Sequence, residues 1–164
     1  MSKFMYGLLS VKVGEKVVGY IEENSFKFNG EKGEVTEIKA AQVKGASVLA
    51  IPKSNGKISP SFDLIDLDYD ALALLLGGEV IKTGASGSQK TTGWKAPSKL
   101  INITNKVEIQ TDSAHKIVIK KALITAYIDG DLNLDSVAKL KVEVKPLQPD
   151  EVGAEPYSIE DVSA

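Results

Sequence analysis

Val137-Ala138-Lys139-Leu140-Lys141-Val142-Glu143-Val144-Lys145-Pro146-Leu147 decides the fold class. Leu140, Val142 and Val144 alternate with Lys139, Lys141, Glu143 and Lys145. Successive side chains of a strand point to opposite faces, so this stretch reads as a strand with one apolar and one wet face. Upstream, residues 116–128 are rich in β-branched side chains: Ile117, Val118, Ile119, Ile124, Thr125 and Ile128. The adjacent Lys120-Lys121 breaks their alternation and marks a bulge or a switch of faces. Ile101, Ile103, Val107 and Ile109 alternate with Asn102, Thr104, Lys106 and Glu108, with a kink expected at Asn105. Residues 17–21, 25–28 and 35–43 supply earlier strands. Asn29-Gly30, Asn55-Gly56 and Asp129-Gly130 punctuate these runs with dipeptides that favour reversal. The chain is expected to be mainly β.

Asn55-Gly56 lies between the β-capable runs 47–51 and 58–65. A type I′ turn needs positive φ at both central residues, which Asn and Gly tolerate best. The sequence therefore predicts a hairpin over 44–65, protruding near 46–58, with Lys53, Ser54, Asn55, Gly56 and Lys57 at its tip. Pro52 and Pro60 remove ladder donors and push this hairpin to an edge. One segment is helical: Asp66 and Asp68 are N-cap candidates before Tyr69-Asp70-Ala71-Leu72-Ala73-Leu74-Leu75-Leu76, and Gly77-Gly78 stops it. Leu72, Leu75 and Leu76 share a face while Leu74 points nearly opposite, so two surfaces must cover the helix. One is its own sheet; the other is a loop of the same chain or a second subunit. Residues 82–99 are Gly/Ser/Thr-rich and read as a long loop.

The 164 residues suit one domain, with hydrophobic residues at 43% and charged residues at 26% as in ordinary globular proteins. Cysteine is absent, which excludes disulfides, thiolate zinc sites and cysteine nucleophiles. All 20 basic residues are lysine, which removes arginine forks, and a net charge of −2 argues against nucleic-acid binding by bulk electrostatics. Asp150, Glu151, Glu155, Glu160 and Asp161 gather in residues 150–164, where lysine is missing. They form an acidic tail behind a body of 1–149, either solvated or docked on a lysine-bearing neighbour. No apolar run reaches membrane-spanning length, and the apolar stretch Phe4-Met5-Tyr6-Gly7-Leu8-Leu9 lacks a cleavage pattern, so neither a membrane partner nor a signal peptide is expected.

Catalytic motifs fail one by one. Gly84-Ala-Ser-Gly-Ser-Gln-Lys90-Thr91 approaches a phosphate loop, but Gln89 replaces the second glycine and no helix can follow through Gly93 and Pro97. His115, the lone histidine, lies within one turn of Asp112 and Ser113 and is expected to be an exposed turn residue. Asp63, Asp66, Asp68 and Asp70 lack the glycine and closing glutamate of a calcium loop. Trp94 is a single ligand-platform candidate, more at home as a local core anchor. No catalytic, metal or cofactor residues are assigned.

The order of elements resembles the tail tube (major tail) proteins of bacteriophages and related contractile injection machines. It rests on the Asn55-Gly56 hairpin, Ser59-Pro60-Ser61-Phe62-Asp63-Leu64-Ile65, the leucine helix ending in Gly77-Gly78-Glu79-Val80, and Gly93-Trp94-Lys95-Ala96-Pro97. The closing strand Val142-Glu143-Val144-Lys145-Pro146-Leu147-Gln148-Pro149-Asp150 completes it. The similarity spans about residues 17–150, with short motifs. It implies two antiparallel sheets packed as a β-sandwich or partial barrel with one short flanking α-helix. It also implies hexameric rings stacked into a conduit for DNA or effectors, made in the bacterial host cytoplasm and ending in the virion tail. Sheath, baseplate and tape-measure proteins are the implied partners, and DNA passes without specific binding. Leu74 and residues 53–57 are the expected subunit contacts; Lys139, Lys141, Glu143 and Lys145 form a lumen or wet-face strand. A net positive body departs from the negative lumen common in DNA-conducting tubes. A carbohydrate-binding or adhesive β-sandwich is the alternative.

Overall fold

A computed structural model describes residues 3–162; residues 1–2 of the expected body and 163–164 of the expected tail lie outside them. Along the chain run β1 (Ser10–Val13), β2 (Lys16–Val17), β3 (Val35–Ile38), β4 (Leu49–Pro52), β5 (Ser61–Leu64) and α1 (Tyr69–Leu76). Then come β6 (Glu79–Thr83), β7 (Lys90–Lys95), β8 (Thr104–Gln110), β9 (His115–Asp129), β10 (Lys139–Pro146) and β11 (Tyr157–Asp161). The protein is mainly β, with several antiparallel sheets in a sandwich-like fold and a single helix among the described residues.

The main sheet has seven strands in the order β2-β1-β8-β9-β10-β5, with β11 also on β9. β9 is its spine. β8 lies along one edge, while β10 and β11 share the other, β11 on the N-terminal half and β10 on the C-terminal half. Between those halves Lys120 and Lys121 stand opposite the single residue Lys106, since Asn105 pairs with Ala122 and Val107 with Ile119. This bulge shifts the inward-facing set from Ile117 and Ile119 to Ala122 and Ile124, all buried. The broken alternation at the two lysines is that extra residue.

After β2 the chain crosses from β1 to β5. Val18 N–H donates to the Val11 carbonyl at 2.9 Å, and Ile65 N–H then donates to the Tyr20 carbonyl at 2.9 Å. Lys27 and Ser61 exchange both backbone bonds. One segment thus joins the two ends of the sheet and closes it around a single core. Val11, Val13, Phe62, Leu64, Val107, Ile109, Leu140, Val142 and Val144 are buried there. Each such side chain contributes roughly 1.5–3 kcal/mol on burial.

The expected hairpin over 46–58 does not form. β4 pairs upstream with β3, Thr36 opposite Ile51 and Ile38 opposite Leu49, instead of with residues 58–65. Neither Asn55 nor Gly56 has a positive φ, so the dipeptide makes no type I′ turn. It lies within the return leg of one long ribbon, whose cross-links run Lys27–Ser61, Glu31–Lys57 and Val35–Pro52. The tip is the loop 39–48. Where the legs cross most closely, a Cβ on Gly33 would collide with the Ser54 carbonyl.

α1 keeps the expected bounds. Ala71, Leu72 and Leu75 are buried, Leu74 is half-buried against the same core, and Gly77 follows with φ 78°. Asp68 occupies the N-cap position, and its carboxylate bonds Lys16 Nζ at 2.9 Å. Residues 82–99 are not one long loop: β6 and β7 form a ribbon turning at 84–89. Both that ribbon and β9 touch α1, so the chain itself covers the helix, Leu74 included. Trp94 Nε1 donates to the Gly77 carbonyl at 2.8 Å and ties the ribbon to the helix end.

Candidate assembly surfaces

The ribbon of β3 and β4 stands clear of the core. Residues directly opposite in an antiparallel pair share a face, so Thr36, Ile38, Leu49 and Ile51 line one side. Ile38, Leu49 and Ile51 are exposed, and so are Val43 and Val48 beside the tip. An isolated two-stranded ribbon is marginal in water, and apolar side chains open on it call for cover. The loop 39–48 adds Lys39 and Lys44 and contains no acid.

Of the expected contact residues, Lys53 and Ser54 sit just behind the ribbon, not at a tip. Lys53 N–H donates to the Glu34 carbonyl at 2.8 Å, and Ser54 Oγ accepts from Glu34 N–H at 3.0 Å. Lys57 pairs with Glu31 at 3.2 Å, and Asn55 and Gly56 are exposed. Lys53, Ser54 and Lys57 thus brace the two legs. Leu74 packs instead against the core of its own chain.

β10 has the expected two faces. Leu140, Val142 and Val144 point inward, leaving Lys139, Lys141, Glu143 and Lys145 outside. Lys139 Nζ meets Glu22 at 2.6 Å and Lys141 meets Asp129 at 3.3 Å, so partner carboxylates neutralise two of the three lysines. Asp129 lies below the ordinary carboxylate range because Gly130 N–H and then Lys141 favour its charged form. The acidic tail also meets lysines, those of its own chain. Lys121 meets Asp150 at 2.6 Å, Lys120 meets Glu155 at 2.8 Å and Lys116 meets Glu160 at 3.9 Å. Tyr157 packs on the core, and β11 adds a backbone ladder.

His115 is half-buried at the start of β9, not an exposed turn residue. Ser113 Oγ contacts His115 Nδ1 at 3.0 Å and Thr111 Oγ1 at 2.9 Å, and accepts from Tyr6 N–H at 3.1 Å. Buried Thr111 and Ser113 thus knot the β8–β9 turn to the N-terminal segment. Among the described residues no three carboxylate or imidazole side chains gather as a metal site, and no helix is long and apolar enough to cross a membrane.

The β9–β10 loop, 130–138, carries a feature that strand periodicity does not reveal. Asn133 Oδ1 accepts from the N–H groups of Asp135 and Ser136, at 2.9 and 2.8 Å, and from Ser136 Oγ. The turn so fixed leaves Leu132 91% exposed and Leu134 fully exposed. Two leucines inside a polar reversal were the available signal. Compared with known proteins, the chain matches no family model and no curated protein.

Proposed function

We propose that the chain is a structural subunit of a phage or phage-like tail tube. Six copies close a ring, and rings stack into a conduit for DNA or effectors. Sheath, baseplate and tape-measure proteins are its further contacts, and the virion tail is its destination. The observation that supports this reading most is the β3–β4 ribbon: a projecting element with Ile38, Leu49 and Ile51 open to solvent suits contact with another copy. Neutralised lysines on the β10 face suit a bore that passes a polyanion without holding it. Removing residues 39–48 should leave single rings and block stacking, seen by negative-stain microscopy and sedimentation velocity. A wild-type chain that stays monomeric at high concentration defeats the reading.

A second reading, an adhesive or carbohydrate-binding sandwich, draws on one groove of about 1030 Å³ beside the N-terminal segment. Tyr6 and Tyr20 stand exposed along it, and aromatic rings suit stacking on sugars. Glycan binding by the monomer, lost in Tyr20→Ala, would favour that reading over the tube.

A further inference from the structure

Two solvent-exposed tips of this chain are chemical opposites. The loop 39–48 carries Lys39 and Lys44 with exposed Val43 and Val48 and holds no acid. The loop 130–138 carries Asp131 and Asp135 with exposed Leu132, Leu134 and Val137 and holds no lysine. Nine ion pairs join charges elsewhere, but these four charged side chains have no ion-pair partner among the described residues. The acidic tip is also held in shape by the three donors that converge on Asn133.

Strand register brings the two segments out of opposite ends of the β5–β10 pairing. β5 runs parallel to β9, because both are antiparallel to β10. Its last residue, Leu64, is level with Leu140 and Ile128, next to the 130–138 loop. Followed backward from Ser61, the ribbon leaves the sheet away from that loop and continues through Lys57 and Pro52 to Leu49. From Ser61 to Leu49 the chain can reach at most about 40 Å, at roughly 3.3 Å per residue, with a bend at Ser54 on the way.

We infer that the 39–48 tip of one copy docks on the 130–138 loop of a second copy of this chain. The inference rests on the assembly reading above and names the receiving surface. Lysines meet aspartates around a small apolar centre, which buries side chains that each copy leaves wet. A contact between two different patches is heterologous, and where its rotation does not close it stays open, so copies add in a stack.

Paired charge reversal tests it. The variant Lys39→Glu/Lys44→Glu, or Asp131→Lys/Asp135→Lys, should each raise the concentration needed for stacking by roughly tenfold or more when alone. Mixed together, the two should stack again in strict alternation, because every contact then joins opposite charges. Distinct labels on the variants should appear in equal amounts in the recovered stacks. All four residues are exposed, so thermal midpoints should match the wild type. If a reversal fails to fold, Asp131→Asn/Asp135→Asn replaces it and should flatten the salt dependence of stacking; an unchanged dependence overturns the inference. Stacking by either reversal alone at wild-type concentration, or failure of the mixture, overturns this contact while leaving the tube reading intact. A wild-type chain that never associates overturns both.

Discussion

Gly78 shows how one residue governs a junction. It follows Gly77 with φ 83°, and a Cβ there would collide with the Lys95 carbonyl, which is backbone and cannot swing aside. Gly78→Ala combines left-handed strain with that clash, and should destabilise the fold by about 1–3 kcal/mol in denaturant titration. A variant of wild-type midpoint would mean that the β6–β7 ribbon shifts freely from the helix. Leu74 poses a related question. Its half-buried side chain packs on its own core, so Leu74→Asp should lower the thermal midpoint by several degrees, through roughly 2 kcal/mol of unmet burial. Loss of rings at an unchanged midpoint would instead make Leu74 a contact between copies.

Among the elements, β11 is a late edge strand, held among the described residues by one strand partner, the N-terminal half of β9. Truncation after Pro149 removes that ladder and the Tyr157 packing, and strips Lys116, Lys120 and Lys121 of their carboxylates. The shortened chain should melt earlier and aggregate through the bared edge of β9, more so at low salt in the presence of a polyanion. An unchanged melting curve would show that the strand contributes little to the fold. Its presence was hidden in the sequence, since Tyr157 and Ile159 sit among acids in a run too short for periodicity to speak. By contrast, the α1 bounds, the β10 faces and the Lys120-Lys121 bulge were legible, because capping, period two and broken alternation are local signals. The partner of β4 was not. Residues 47–51 could pair on either side, and Asn-Gly favours a turn only where φ turns positive. The candidate surface was half legible: β10 declared its wet face, while a ribbon exposed on both sides gave no sign of which apolar residues stay uncovered.

For the whole molecule, surface ion pairs set the pH response. Glu108 is held below the ordinary carboxylate range by its hydrogen bond to Lys106, Asp68 by Lys16, and Glu155 by Lys120. The folded form therefore binds protons less readily than the unfolded one. Their contribution is complete above the ordinary carboxylate range and disappears as pH falls through it to the lowered values. Lys106 is raised by Glu108, Lys120 by Glu155 and Lys141 by Asp129, so theirs persists until pH climbs past the ordinary lysine range. Thermal midpoints should be level around neutrality and fall below about pH 4. A flat profile down to pH 3 would mean that the pairs add nothing. The closed sheet has a different consequence, in time. β8 pairs with β9 and β9 with β10, each the next strand in sequence, whereas Ser10 waits for Gln110 and Leu64 for Leu140. Long loops must close before such distant pairs form, which slows folding. During synthesis β1 and β5 emerge before the strands that flank them in the main sheet, and Val11 and Phe62 stay wet until β8 and β10 arrive. The last strands made are therefore the template on which the first ones fold, and a nascent copy cannot present finished surfaces to another until its own late strands have left the ribosome.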